Sequence, residues 1–324
     1  MKKAITVSAP GKLMLLGEHA VVYNHPCLVT SVSQRMKTKI ESLDYPIFQL
    51  EAPDVGITKY KKAFTDLGQG DIPQGAKFAE IAVLNFISKY PLKDGIKVET
   101  NSEFSSKFGF GSSSASSVCV IKALSELVDA RLSQKEIFDI AYKTILQIQG
   151  RGSGFDVAAA TYGGLLYFFT GGKIIEPLNI KSLPLVVGYS GVKADSVTLM
   201  NQVAELAKQK PELIQGLYNQ IGTLVEQAKQ ALLKNDWAQA GQLMNQNQEY
   251  LNKLGVSTGK LNKMIYAARG AGAYGAKLSG AGGGDCMIAL VPEDKRENVQ
   301  KAIASVGEEV LDVSTNVEGV LVEN

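Results

Sequence analysis

Histidine is nearly absent from this sequence: His19 and His25 are the two in 324 residues, too few for a histidine-rich metal site. Cysteine is almost as scarce. Cys27, Cys119 and Cys286 lie far apart and form no metal-spaced pair, so they read as reduced, buried thiols, and the expected location is cytoplasmic. A dominant charge is missing as well. Thirty-four Lys and Arg face 32 Asp and Glu, for a net charge of +2 with no long basic block, which excludes a nucleic-acid footprint. No apolar run approaches the ~20 residues that span a bilayer, and the first residues alternate rather than form the apolar core of a signal peptide. The expectation is a soluble chain with no membrane partner. Two phosphotransferase signatures are absent too: there is no Gly-x-x-x-x-Gly-Lys-[Ser/Thr] loop and no His-Arg-Asp with Asp-Phe-Gly.

What is present is glycine, concentrated in three places. The first is Phe108-Gly-Phe-Gly-Ser-Ser-Ser-Ala115. Two residues without a Cβ let the backbone turn tightly and approach a ligand. Behind them Val118, Ile121, Leu124, Leu127 and Val128 recur at helical spacing. The loop therefore opens a helix, whose first N–H groups have no partner within the helix and attract anions. Serine hydroxyls there can bond a phosphate or take one position on Mg²⁺; a plain Gly/Ser linker is the alternative. The second place is Gln149-Gly-Arg-Gly-Ser-Gly-Phe-Asp156, followed by small apolar residues. A carboxylate there is partly buried and needs a cationic or hydrogen-bonding partner, with Lys12 the candidate; a helix N-cap is the competing role. The third is Gly275-Ala-Lys-Leu-Ser-Gly-Ala-Gly-Gly-Gly-Asp285, set between two apolar segments.

Length and composition, 45% hydrophobic and 20% charged, suit two globular domains. Ala4–Val7 and Leu13–Leu16 read as two short strands separated by a break at Ser8–Lys12. Lys12, between Pro-Gly and an apolar strand, is held near the core, though a solvated turn lysine has the same pattern. Glu18 and His19 follow. Arg35–Glu41, Pro46–Glu51 and Gly95–Thr100 read as strands, Phe78–Ile87 as a helix, and Gly56–Pro73 as a polar loop or flap. Ser133-Gln-Lys-Glu136 is a capping box opening a helix to about Leu146. Beyond a strand at Leu183–Gly188 come long helices, with Leu217, Ile221, Leu224, Val225, Ala228 and Leu232 on one stripe. Trp237 and Leu243 begin the next, which ends at Gly255. The strand Met287–Val291, a helix over Lys295–Val306 and a strand near Gly319–Val322 close an α+β module.

Three glycine-rich stretches with a pinned lysine and a turn aspartate fit phosphoryl transfer, which needs positioning, charge neutralisation and a carboxylate beside the accepting hydroxyl. At this point the sequence resembles the GHMP small-molecule kinases. Its motifs occur in their order: Ser8-Ala-Pro-Gly-Lys-Leu-Met-Leu-Leu-Gly-Glu-His-Ala-Val-Val, Gly109-Phe-Gly-Ser-Ser-Ser-Ala and Lys277-Leu-Ser-Gly-Ala-Gly-Gly-Gly. The resemblance spans essentially the whole chain. It implies an α+β fold with a ribosomal-protein-S5-like N-terminal domain over 1–180, containing a left-handed β-α-β unit, and a ferredoxin-like C-terminal domain over 181–324. ATP and substrate would lie between them.

Gly17-Glu-His-Ala-Val-Val-Tyr, Leu243-Met-Asn-Gln-Asn-Gln and Leu254-Gly-Val-Ser-Thr are similar to the mevalonate-phosphorylating branch of that family. By this likeness Asp156 is the base toward the C5 hydroxyl of mevalonate, and Lys12 lowers that hydroxyl's pKa and steadies the transferring phosphoryl. Glu18, His19 and Ser196 help hold the acceptor. Gly109, Phe110, Gly111, Ser112, Ser113 and Ser114 cradle the ATP phosphates, with Ser113 on Mg²⁺. Ser279, Gly280, Ala281, Gly282 and Gly283 form the third motif. Two departures accompany it. Ile145 stands where that branch usually carries a second Mg²⁺-ligating glutamate. Gly152-Ser-Gly-Phe-Asp-Val-Ala-Ala-Ala and Gly282-Gly-Gly-Asp-Cys look more like the phosphomevalonate-phosphorylating branch, with Arg151 available to an extra phosphate. The longer likeness of the C-terminal half favours mevalonate as acceptor, with phosphomevalonate the alternative, and the oligomeric state stays open, a homodimer included. A non-catalytic sensor on the same fold is the remaining alternative, which intact Lys12 and Asp156 argue against.

Overall fold

The computed structural model describes residues 4–307 and 309–323. The chain runs β1 (Ala4–Leu16), β2 (Pro26–Leu43), β3 (Ile47–Ala52), β4 (Ile57–Ala63), α1 (Lys77–Ile87), β5 (Gly95–Ser102), α2 (Ser112–Leu127), α3 (Gln134–Gln149), α4 (Phe155–Tyr162), β6 (Leu165–Phe169) and β7 (Ile175–Leu178). It continues through β8 (Leu185–Tyr189), α5 (Ser196–Gln209), α6 (Pro211–Leu233), α7 (Trp237–Lys253), α8 (Gly259–Gly270), β9 (Gly275–Ser279), β10 (Cys286–Leu290), α9 (Arg296–Ala304), β11 (Glu309–Leu311) and β12 (Leu321–Glu323).

Strand β2 is the spine of the first sheet. Its 18 residues pair with β1 along one edge and, along the other, with β6 at Pro26–Thr30 and β5 at Met36–Leu43. The order from one side is β12-β1-β2-β5-β3-β4, with β6 and β7 branching from β2. The expected break at Ser8–Lys12 is absent. Pro10 and Gly11 instead pair within one continuous strand, and the bulge opposite them is in β2, where the register jumps from Pro10↔Arg35 to Gly11↔Val32 and skips Ser33 and Gln34. Nor is Gly56–Pro73 a free flap. Ile57–Ala63 pairs antiparallel with β3, and Lys62 is tied to buried Glu80 at 2.8 Å, so the polar composition belongs to an edge strand. The pair β3/β5 is parallel, and α1 lies in its crossover.

The second sheet has the order β11-β8-β10-β9, all antiparallel. With α8 between β8 and β9 and α9 between β10 and β11, this is a ferredoxin-like layout. Alternate side chains serve two cores, as the period of a strand requires. Val186, Met287 and Ala289 pack with Met264, Ile265 and Ile303 of α8 and α9. Leu185, Val187, Ile288 and Leu290 face Leu224, Val225, Leu243 and Met244 of α6 and α7, together with Leu13, Leu15 and Leu28 of the first sheet. A third core, including Val29, Ile40, Phe48 and Val98, lies under α1–α4. The stripe expected on α6 is buried throughout. Cys27, Cys119 and Cys286 are free and buried. The last strand, β12, returns to β1, so a division near residue 180, which we propose, leaves residues 312–323 on the first sheet.

Candidate active site

The three glycine-rich stretches meet at one cleft of about 510 Å³, lined among others by Lys12, Glu18, His19, Gly109, Ser113, Asp156, Ser196, Gly280, Ala281 and Asp285. Helix α2 starts there. Gly109 and Gly111 have φ of +71° and +80°, conformations that L side chains rarely adopt, and Gly111 is the N-cap residue. Gly111, Ser112 and Ser113 at the start of α2 line the cleft, and a helix N-terminus at such a place is an arrangement that binds anions.

Lys12 is fastened to this loop twice. Its backbone N–H donates to the Phe110 carbonyl at 3.0 Å, and its ammonium donates to the Gly109 carbonyl at 2.7 Å. The side chain is 8% exposed, so the expected pinned lysine is observed. Asp156 lies in the first turn of α4, after the N-cap residue Gly154, and is not itself the cap. Its Oδ2 accepts from Ser114 Oγ at 2.7 Å, and no ion pair joins it to Lys12 among the described residues. The hydrogen-bonding partner of this half-buried aspartate is thus a hydroxyl of the Gly109–Ser114 loop. Asp156 and Lys12 nevertheless flank the same glycine: a Cβ on Gly111 would lie 3.5 Å from Asp156 Cβ and 3.4 Å from Lys12 Cγ.

Glu18 and His19 sit on the opposite wall. Glu18 is 1% exposed, and its carboxylate takes the ammonium of Lys277 from β9 on one oxygen and Asn247 Nδ2, at 3.1 Å, on the other. His19 adopts φ 59° and donates Nε2–H to the Ala281 carbonyl at 2.9 Å. Burial pushes its pKa below the ordinary 6.5, so the ring is neutral with Nδ1 as acceptor. Ser279 completes this seam: its hydroxyl accepts from Met14 N–H and donates to the Met14 carbonyl, at 2.9 and 3.0 Å. The first and third motifs are therefore joined side chain by side chain. Ser196 begins α5 at the cleft rim.

Three lining residues escaped the sequence reading. Ser153 is buried, and its hydroxyl has no partner among the described residues, which leaves it free for a ligand. Lys193 brings a second ammonium to the lining. Asp285 has φ 53° and accepts Ala194 N–H at 2.8 Å; burial raises its pKa above the usual carboxylate value, against the fields of Lys12 and Lys193. The Gly-Ser-Gly and Gly-Gly-Asp contexts were the available signals for Ser153 and Asp285. Arg151 does not line the cleft among the described residues, and Ile145 is buried in its wall. No cluster of three metal-ligating side chains occurs among the described residues.

A helix N-terminus for phosphates, with an ammonium and a hydrogen-bonded carboxylate on either side of one glycine, is equipment for phosphoryl transfer to a small hydroxylated acceptor. Comparison with known proteins agrees. The family described as GHMP kinases N terminal domain matches residues 77–164, and GHMP kinases C terminal matches residues 228–309. The chain is 35% identical to the mevalonate kinase of Pyrococcus abyssi, covering 100% of this chain and 99% of that one. The crystal structure of L. major mevalonate kinase in complex with R-mevalonate superposes with a TM-score of 0.78 at 27% identity, covering 98% of this chain and 97% of that one. Streptococcus pneumoniae phosphomevalonate kinase shares the fold, with a TM-score of 0.81 at 20% identity over 96% and 99% of the two chains. The chain belongs to the GHMP kinase family, small-molecule kinases whose phosphate donor is ATP.

Proposed function

We propose that this enzyme phosphorylates the C5 hydroxyl of mevalonate with ATP. The observation that carries the reading is the placement of Lys12 and Asp156 on either side of Gly111 at the start of α2, in a chain matched end to end by curated mevalonate kinases. The donor phosphates lie along Gly109, Gly111, Ser112 and Ser113, held by the free N–H groups of the first turn and the hydroxyls of Ser112 and Ser113. Phe110 is packed in the core and Ser114 is committed to Asp156, so neither lines the cleft. Asp156, turned toward the cleft and steadied by Ser114, accepts the proton of the attacking hydroxyl. Lys12 favours the hydroxyl's ionised form and neutralises charge on the phosphoryl oxygens in flight. His19, Ser153 and Ser196 supply hydrogen bonds to the acceptor, and Lys193 offers a cation to its carboxylate. Glu18, engaged by Lys277 and Asn247, holds the acceptor wall in place.

Mg²⁺ fits these residues as a passenger of the nucleotide. Ser113 offers a hard oxygen, Ile145 offers none, and Mg²⁺ is commonly held by one or two protein oxygens with phosphates and water completing its shell. When bound, it screens the charge of the β- and γ-phosphates. A cytoplasmic location is part of the same proposal, supported by the free thiols of Cys27, Cys119 and Cys286; no described helix is long and apolar enough to cross a membrane. We leave a homodimer as a proposal to be settled by sedimentation. Phosphomevalonate is the weaker acceptor reading, because Arg151, the cation expected to serve its extra phosphate, is not in the cleft lining. ADP release with mevalonate and with 5-phosphomevalonate, offered in parallel with Mg²⁺–ATP, tests the assignment: turnover of mevalonate is expected, and turnover of 5-phosphomevalonate alone overturns it.

A further inference from the structure

We infer that Asp285 is a positioning residue for phosphoryl transfer, whose side chain clamps the loop between β8 and α5 against the phosphate loop. The starting observation is conformational. Asp285 follows three glycines and has φ 53°, a region where a side chain costs free energy that glycine does not. Gly282 and Gly283 beside it have positive φ as well, so glycine would serve the backbone at 285 equally. An aspartate held there is explained by what its side chain does.

Three hydrogen bonds bind this residue to the β8–α5 loop. Ser190 N–H donates to the Asp285 carbonyl at 2.9 Å, and Asp285 N–H donates to the Val192 carbonyl at 2.7 Å. The third, from Ala194 N–H to Oδ1 at 2.8 Å, depends on the carboxylate. Ala194 lies two residues before Ser196, where α5 begins at the acceptor side of the cleft. The other oxygen, Oδ2, packs on Gly109: a Cβ there would lie 2.3 Å from it. Gly109 is the residue whose carbonyl holds the Lys12 ammonium. The next residue, Cys286, continues the contact through Sγ and the Phe108 carbonyl at 3.3 Å. One side chain thus fixes the spacing between the loop that carries the acceptor-side helix and the loop that carries the donor phosphates. A carboxylate in an anion-binding cleft opposes ligand charge, which makes pure electrostatic recruitment the wrong role for it. Asn, whose amide oxygen also accepts from Ala194 N–H, preserves the clamp; Ala and Gly do not.

The inference rests on the kinase reading above, so its test includes a readout that does not depend on the acceptor. Wild type, D285N, D285A and D285G are compared for thermal melting, for kcat and for KM of each substrate. Amide hydrogen exchange over residues 190–196 is followed in the same proteins. In D285A and D285G, kcat falls about 10- to 100-fold and acceptor KM rises about tenfold, as a small misplacement of reacting groups predicts, with KM for ATP changed less than about threefold. Exchange protection of residues 190–196 is lost in both, while D285N retains the protection and kinetics within about threefold of wild type. The inference is overturned if D285A keeps wild-type exchange and kinetics, if activity falls only in proportion to the folded fraction, or if D285N is as impaired as D285A. Failure of wild type to phosphorylate mevalonate, with exchange responding as described, counts against the acceptor and leaves the clamp standing.

Discussion

Two lysine–carboxylate couples of the same chemistry stand in opposite settings, one in the cleft and one sealed behind its wall. Lys277 and Glu18 are both fully buried, face each other directly, and join β9 of the second sheet to the turn after β1 of the first. Lys12 and Asp156 lie on either side of Gly111 and are tied instead to Gly109 and Ser114 of the phosphate loop, with the cleft open before them. A sealed pair has its charge compensated within the protein, and removing one partner strands the other. An open, divided pair keeps both charges for what enters the cleft. Position relative to the cleft, more than residue type, separates chemistry from architecture.

That contrast breaks most visibly at Asp156. Replacing it with Asn should lower kcat by about 10²- to 10⁴-fold while leaving ATP affinity within a few-fold, because a general base acts on the reaction and not on donor binding. Steady-state rates with calorimetric ATP binding decide this. Lys277→Met should do the reverse. It strands the buried Glu18 carboxylate and destabilises the fold by about 3–5 kcal/mol, and adding Glu18→Gln should return much of that stability; urea titrations of the single and double variants measure it. Lys12→Met sharpens the comparison from the other side. It should cost about 10²-fold or more in kcat with a smaller loss of stability than Lys277→Met, since the ammonium leaves a carbonyl and not a sealed carboxylate.

The smallest effect concerns His19. Its folded pKa is lowered, so between that value and 6.5 the unfolded chain binds more protons than the folded one. The associated stability is complete above pH 6.5 and is lost as pH falls below it, toward the folded value, at no more than about 1.4 kcal/mol per pH unit. His19→Gln should show a shallower loss between pH 6.5 and 5 in urea midpoints. Parallel curves for the two proteins would remove burial of a neutral imidazole from the account.

How much of this was legible in the sequence follows the range of the interactions. The glycine-serine loop that opens α2, the capping box at Ser133 and the stripe on α6 are local, set by residues within a few turns of one another, and they formed where expected. Lys12 was recognisable as pinned, because Pro10 and Gly11 constrain its surroundings, yet the same dipeptide suggested a strand break that pairing with a bulged β2 absorbs. The polar stretch after Gly56 looked like a flap because an edge strand has one side open to water; β3 recruits it nonetheless. The Glu18–Lys277 pair spans 259 positions and the Asp285–Ala194 clamp 91, and nothing local announces either. The partner of Asp156 was misplaced for the same reason: Ser114 and Lys12 are both distant in sequence, and only the fold ranks them.

The most direct test of the open couple as the seat of catalysis is ADP release from Mg²⁺–ATP with mevalonate as acceptor, wild type against Asp156→Asn, at matched nucleotide occupancy. The account predicts turnover by wild type and a loss of at least about 10²-fold in the variant. Equal rates in the two proteins would contradict it.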